Sequence, residues 1–156
     1  MIRILSLLLI LIFFMISALA LPKETPDDFI RSAKEKLGEY KLSNSKKNDP
    51  RCSEGGLLTL VDVDNKQGIR LGHNIFIGPF SPQGDITESK EYCKITNNLS
   101  FTSNSVTEVT ELSKCPKEAK GDESKSTKSL KFEKNQVLYQ IKETNFHCVY
   151  EKIGKN

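Results

Sequence analysis

The sequence predicts an α+β fold that is mainly β. We expect an N-terminal amphipathic helix packed on an antiparallel meander sheet, or on a small partly open barrel, of about six to eight strands. Three observations lead to this prediction. A helical apolar pattern lies near residue 30, strand-like alternation with turn residues follows from Gly55 onward, and four cysteines are spread over the rest of the chain.

The first twenty residues have the three parts of a secretory signal peptide. Arg3 gives a positive start, residues 4–16 are almost unbroken apolar side chains, and Ala18 and Ala20 are the small residues that a signal peptidase requires. Cleavage is therefore expected after Ala20. The alternative is an uncleaved anchor, because the apolar run approaches the length that crosses a bilayer.

Export defines the expected domain organisation and location. Residues 1–20 are the signal peptide, residues 21–51 a helix and linker, and residues 52–156 a disulfide-stapled β domain that forms one globular unit with the helix. The mature protein is expected to be secreted or periplasmic, with no stable membrane insertion. Without the signal, the apolar share falls from 37% to about 30%, a lean composition for which covalent cross-links are useful.

The helix has clear start and stop signals. Thr25 is a capping residue, Pro26 suits the first helical position, and Gly38 ends the segment. The apolar stripe between them consists of Phe29, Ile30, Ala33 and Leu37. Residues 43–51 contain no apolar side chain and predict an exposed linker.

Strands and turns follow. Residues 57–63 predict a strand and residues 64–68 its turn. Residues 69–77 alternate, which would place one continuous row on the core face: Ile69, Leu71, His73, Ile75 and Ile77. The charged and small residues 114–129 predict a solvated, mobile loop.

A weak internal repeat indicates two similar hairpins. Residues 99–106 match residues 130–137 in the pattern Leu-x-Phe-x-x-Asn-x-Val. In each, a two-residue turn ending in Asn joins two strands, and Asn tolerates the left-handed backbone of tight turns. Common descent of the two hairpins stays open, because short hairpins resemble one another.

The first hairpin predicts the cysteine pairing. A turn at residues 103–104 places Ile95 opposite Leu112 and Cys93 opposite Lys114, one residue short of Cys115. Four cysteines allow three pairings. We predict Cys93–Cys115 and Cys52–Cys148, with the one-residue offset as the weak point of the assignment.

Catalytic and metal-binding residues are not evident. His73 and His147 are the only histidines, and cysteines in disulfides cannot ligate a metal as thiolates. His73 is expected at a core or edge position and His147 toward solvent. No serine or cysteine stands in the context of an activated nucleophile. We therefore predict no catalytic residue, no metal and no cofactor, and whether the protein is an enzyme stays open.

Two surface features are candidates for modification or interaction. Asn98 begins an Asn-x-Ser glycosylation sequon, which matters only in a host that glycosylates secreted proteins. Pro79, Phe80 and Pro82 form an aromatic held between prolines, a candidate interaction loop. The competing arrangement has Phe80 folded back over the end of the sheet.

Charge argues against nucleic acid as a partner. The chain has 23 Lys and Arg against 20 Asp and Glu, and the basic residues are mostly lysines scattered among acids. Nucleic-acid readers usually cluster positive charge and rely on arginine.

The helix-then-sheet order with two disulfides is similar to the architecture of the cystatins, but the chain has no Gln-x-Val-x-Gly hairpin and no tryptophan. No family is identified.

The favoured function is an exported, non-enzymatic binding or interaction module whose partner is an unknown protein or a small apolar ligand. A stapled β domain without a catalytic constellation fits this class. The alternatives are a small secreted hydrolase with a non-obvious site and a structural envelope or matrix component.

Overall fold

The computed structural model describes residues 24–81, 85–87, 93–115 and 124–154, and for residues 85–87 the backbone alone. The predicted signal peptide and its cleavage site lie outside these residues. Within them, no helix is both long and apolar enough to span a membrane. One helix, α1, runs from Pro26 to Lys36. The described residues form ten strands: β1 Gly38–Leu42, β2 Gly55–Val63, β3 Lys66–Leu71, β4 Ile75–Ile77, β5 Asp85–Thr87, β6 Lys94–Thr102, β7 Ser105–Ser113, β8 Ser124–Phe132, β9 Gln136–Ile141 and β10 Phe146–Lys152.

All ten strands form one antiparallel sheet in the order β4-β3-β2-β1-β10-β9-β8-β7-β6-β5. Consecutive strands are neighbours except for β4 and β5, and β1 pairs with β10. This is the strand order of an up-and-down barrel that is open between β4 and β5. The sheet curls enough for β4 to contact β7 and β8, so the structure is a half-barrel.

Within the described residues, the mainly β class with one short helix is as predicted, but the expected number of six to eight strands is wrong. Three segments that the sequence did not identify as strands belong to the sheet: residues 38–42, 85–87 and 124–129. The last of these was predicted to be part of a mobile loop. Its charged and small residues form the first part of β8, because pairing with β7 along this segment, and with β9 from Lys128 onward, satisfies the backbone whatever the side chains are.

Helix α1 packs into the concave side of the sheet. Thr25 caps it through a reciprocal capping box, in which its hydroxyl accepts from the Asp28 amide and the Asp28 carboxylate accepts from the Thr25 amide. Phe29 and Ala33 are fully buried on the face that meets the sheet. The amphipathic stripe therefore covers the sheet core, as the spacing predicts.

The β2–β3 connection is tighter than expected. Only Asp64 and Asn65 form the turn, both with positive φ (51° and 60°), and residues 66–68 are already part of β3. A second turn at residues 72–74 interrupts the predicted continuous strand. It places His73 in solvent instead of on the core face, while Ile75 resumes the buried row in β4.

The two repeated hairpins share one register. Phe101 pairs with Val106 in the first, and Phe132 pairs with Val137 in the second. The left-handed backbone expected at the turn asparagines is absent, since neither Asn104 nor Asn135 has positive φ. The matching Phe and Val positions therefore form equivalent cross-strand pairs in the two hairpins. A need for left-handed backbone does not explain why asparagine stands in both turns.

Residues 43–51 are attached to the sheet and are not a free linker. The Asn48 side chain donates to the Ser43 carbonyl (2.7 Å) and accepts from the Val149 amide (2.8 Å). The Asp49 amide donates to the His147 carbonyl (2.8 Å). Polar side chains thus replace apolar packing in holding this segment against β10.

Candidate functional site

Both predicted disulfide pairs are present in the structure. Cys52 joins Cys148 across 96 residues with a Cα–Cα distance of 5.8 Å, and Cys93 joins Cys115 across 22 residues. Lys94 pairs with Ser113, which leaves Cys93 facing Lys114. Lys114 adopts positive φ (51°), and this local kink takes up the one-residue offset between the two cysteines. Two disulfides indicate an oxidising, extracellular-type environment.

An aromatic cluster fills the concave side of the half-barrel. The Phe29 ring lies 5.7 Å from Phe80, 5.8 Å from Phe101 and 5.5 Å from Phe132, the last in a stacked arrangement. Phe80 also meets Phe101 edge to face at 5.3 Å. Each ring comes from a different segment, so the cluster ties the helix, the loop after β4, β6 and β8 together.

Phe80 is folded back onto the core, as in the second of the two expected arrangements. It is 6% exposed, and its amide donates to the Gln67 carbonyl (2.6 Å). Pro79 is half-buried after a cis peptide bond with Gly78, and Pro82 lies outside the described residues. The Phe80 ring is consequently not presented to a partner as an exposed anchor.

A groove of about 450 Å³ opens beside Phe80, between the start of α1 and the β2–β3 turn. Pro26, Ile30 and Phe80 supply apolar surface. The polar lining residues are Thr25, Asp27, Asn65, Lys66 and Gln67. Volumes of this size, with apolar walls and a few polar groups, are typical of small-molecule sites.

The register stacks the concave side chains of the half-barrel in layers. One layer is apolar and runs from Phe101 through Leu130 to Cys148. The next contains Glu108 and Lys128, which are direct cross-strand neighbours. A third layer is polar and consists of Asn97, Thr110 and Ser126. The concave face therefore changes from apolar to polar along the strands.

Glu108 is the one described acidic side chain that is buried in the core. Burial raises the pKa of its carboxyl, although the nearby Lys128 ammonium and the Gly78 amide partly offset this. The Tyr139 hydroxyl is affected in turn: burial, together with the charge of Glu108, raises the pKa of Tyr139 to about 12. Buried ionisable groups with shifted pKa values are candidates for functional sites.

A second groove, of about 340 Å³, lies elsewhere on the surface. It is lined by Lys47, Gln140, Asn145 and His147. Gln140 and His147 are a cross-strand pair of β9 and β10, and Asn145 comes from the turn that joins these strands. Lys47 belongs to the segment attached to β10.

The two histidines are far apart in the fold. His73 is exposed in the turn before β4, and His147 is half-buried on β10. Among the described residues, no group of three or more histidine, cysteine, aspartate or glutamate side chains could hold a metal ion.

Asn98 of the sequon is exposed at the middle of β6, opposite Val109 of β7. Its side chain is accessible, as attachment of a glycan requires. Whether it carries a glycan stays a prediction.

Neither groove was identified from the sequence. Each combines segments that are far apart along the chain, and no local pattern marks residues such as Ile30, Asn65 or Gln140 as neighbours of a cavity. Comparison with protein-family models, with curated proteins and with solved structures found no match.

Proposed function

We propose that this chain is an exported, non-enzymatic binding module that takes a small, largely apolar ligand in the groove between α1 and the β2–β3 turn. The signal peptide would be removed after Ala20, and the mature domain would act outside the cytosol, in the periplasm or after secretion. The two disulfides support an oxidising location.

The observation that carries the proposal is the groove itself. Its volume of about 450 Å³ falls in the range of small-ligand sites. Ile30 and Phe80 give it an apolar floor, while Asn65, Lys66 and Gln67 place polar groups at one side. An apolar body with one polar end would be complementary to this distribution.

The contacts between the lining residue Phe80 and the core favour a preformed binding site. Phe80 packs on Phe29, and its amide is hydrogen-bonded to Gln67, another lining residue. A ligand would therefore meet walls that are already ordered, which reduces the entropy lost on binding.

Native mass spectrometry of the protein purified from its own source tests the proposal first. We expect a mass lacking residues 1–20, four hydrogens missing because of two disulfides, and a stoichiometric small molecule that is lost on denaturation. A protein that retains Met1, or that has four free thiols, would contradict the exported disulfide-bonded module.

Binding of the neutral apolar dye Nile red tests the position of the site. Ile30→Glu places a charge on the groove floor and Asp27→Trp fills its exposed rim, so each should weaken dye binding at least tenfold. Leu57→Glu is the matched control, because Leu57 is 57% exposed and does not line the groove. Equal loss in all three variants, or no dye binding by the parent protein, would rule the groove out.

A further inference from the structure

We propose that the second groove, lined by Lys47, Gln140, Asn145 and His147, binds a small oxyanion group: a sulfate, phosphate or carboxylate carried by a soluble ligand. This site is distinct from the apolar groove beside Phe80 and does not depend on the function proposed for it.

The lining consists of groups that can donate hydrogen bonds. Lys47 carries an ammonium group, Gln140 and Asn145 carry carboxamides, and His147 carries an imidazole. None of the described residues that line the groove carries a carboxylate. A set of one cation, two amides and an imidazole is complementary to an anion with several acceptor oxygens.

The protein holds these donors on a braced framework. Gln140 and His147 face each other directly across the β9–β10 ladder. The Asp49 amide donates to the His147 carbonyl at 2.8 Å, and the neighbouring Cys148 is bonded to Cys52. Asn48, the residue after Lys47, makes two side-chain hydrogen bonds to the backbone. Lys47 therefore projects from an anchored segment toward a fixed strand pair.

The acids closest along the chain are engaged elsewhere. The Asp49 carboxylate makes a bidentate pair with Arg51, at 2.8 Å from both Nε and Nη2. The Glu143 carboxylate accepts from the Thr127 amide at 2.7 Å. Within the described part of the chain, no carboxylate lies within ion-pairing distance of Lys47. The positive charge at this groove is thus left for an external anion.

The test is a titration with sodium sulfate, followed by ¹H–¹⁵N NMR of the full mature chain, with sodium chloride at equal ionic strength as reference. We expect saturable shifts of the Gln140 and Asn145 side-chain amides, with half-saturation in the millimolar range. Parallel titrations with inorganic phosphate and acetate identify which oxyanion fits best.

Variants separate a built site from general attraction by surface charge. Lys47→Gln and His147→Gln should each raise the half-saturating concentration at least threefold, and Gln140→Glu should abolish saturation by placing a negative charge in the groove. Lys46→Gln is the matched control: it makes the same charge change one residue away, outside the groove lining. We expect less than a twofold effect from it.

Three results would overturn the proposal. One is that chloride shifts the same amides as strongly as sulfate does. Another is that Lys46→Gln weakens binding as much as Lys47→Gln. The third is that none of the three oxyanions gives saturation. The backbone amide spectrum of each variant also reports directly on whether the fold is intact.

Discussion

The carboxylate of Glu108 lies 3.7 Å from the ammonium group of Lys128, directly across the β7–β8 ladder. The Glu108 side chain is 8% exposed and that of Lys128 is 35% exposed. Because burial dominates the other influences, the pKa of Glu108 is raised above its ordinary value of 4.5. Burial therefore makes the charged form of Glu108 less favourable in the folded protein than in the unfolded chain.

This relationship predicts the pH dependence of stability. A raised pKa means that the folded state binds the proton more tightly than the unfolded state does. The contribution of Glu108 is fully present below the unfolded pKa and is lost as pH rises through the folded pKa. Glu108→Gln removes the ionisable group and with it the loss of stability at high pH. The change in melting temperature that it causes should therefore be more favourable at pH 7 than at pH 4. Thermal unfolding at both pH values checks it, and an equal shift at both would contradict the assignment.

Removing the lysine should have the opposite effect. Lys128→Met leaves the Glu108 carboxylate without its cation, so we expect a loss of about 1–2 kcal/mol at pH 7, less than for a fully buried pair because Lys128 is partly exposed. Lys131→Met on the same strand is the control, since Lys131 pairs with an exposed Glu133. Urea denaturation measures both, and the Lys128 effect should vanish in the Glu108→Gln background.

The two disulfides should differ in their contributions to stability. In the chain-entropy account, the 96-residue separation of Cys52 and Cys148 corresponds to about 4.7 kcal/mol, and the 22-residue separation of Cys93 and Cys115 to about 3.4 kcal/mol. We expect the double variant Cys52→Ser/Cys148→Ser to lose more, also because Cys148 is fully buried. Denaturant midpoints of the two double variants decide this. A larger loss for the shorter loop would contradict it.

The close approach of β2 to the turn after β3 makes Gly56 essential. A Cβ atom at Gly56 would lie 2.6 Å from the Gly72 Cα, and Gly56 has φ +147°. Gly56→Ala should cost about 2–4 kcal/mol because both backbones would have to move apart. Gly154→Ala is the control, since φ is also positive (+108°) there but no atom lies within 4 Å of the new Cβ. A similar loss in both variants would mean that backbone strain alone is responsible.

The side-chain carboxamide of Asn48 should account for most of the free energy that holds residues 43–51 against β10. Asn48→Ala removes two hydrogen bonds and leaves the Val149 amide without its acceptor, so we expect a loss of about 2 kcal/mol. Hydrogen exchange at Val149 should accelerate with it. Asn44→Ala, an exposed change in the same segment, should leave this exchange rate unchanged.

Local patterns in the sequence are sufficient to predict the start of the helix and the register of the first hairpin. Thr25 and Pro26 predict the helix start because capping depends on neighbouring residues alone. The hairpin register around residues 103–104 follows from alternation, and it leads to Cys93–Cys115. Such features rest on contacts between residues close in sequence.

The errors come from contacts that are remote in sequence. Residues 43–51 lack apolar side chains but are held by Asn48 to a strand about a hundred positions later. The polar composition of residues 124–129 predicts a loop, whereas pairing with β7 along the segment, and with β9 from Lys128, imposes the extended conformation. The expectation of a core or edge position for His73 fails for a local reason, because a turn at residues 72–74 interrupts the alternation and leaves His73 exposed. Both grooves depend on the same kind of long-range juxtaposition.

The pairing of β1 with β10 has a consequence for maturation. A chain that ends before residue 146 would leave β1 with β2 as its single neighbour and Cys52 without its disulfide partner. Strands β1 to β4 and strands β5 to β9 can each pair among themselves, and β10 is the strand that joins the two groups. The middle of the sheet is therefore the last part of it that a growing chain can complete.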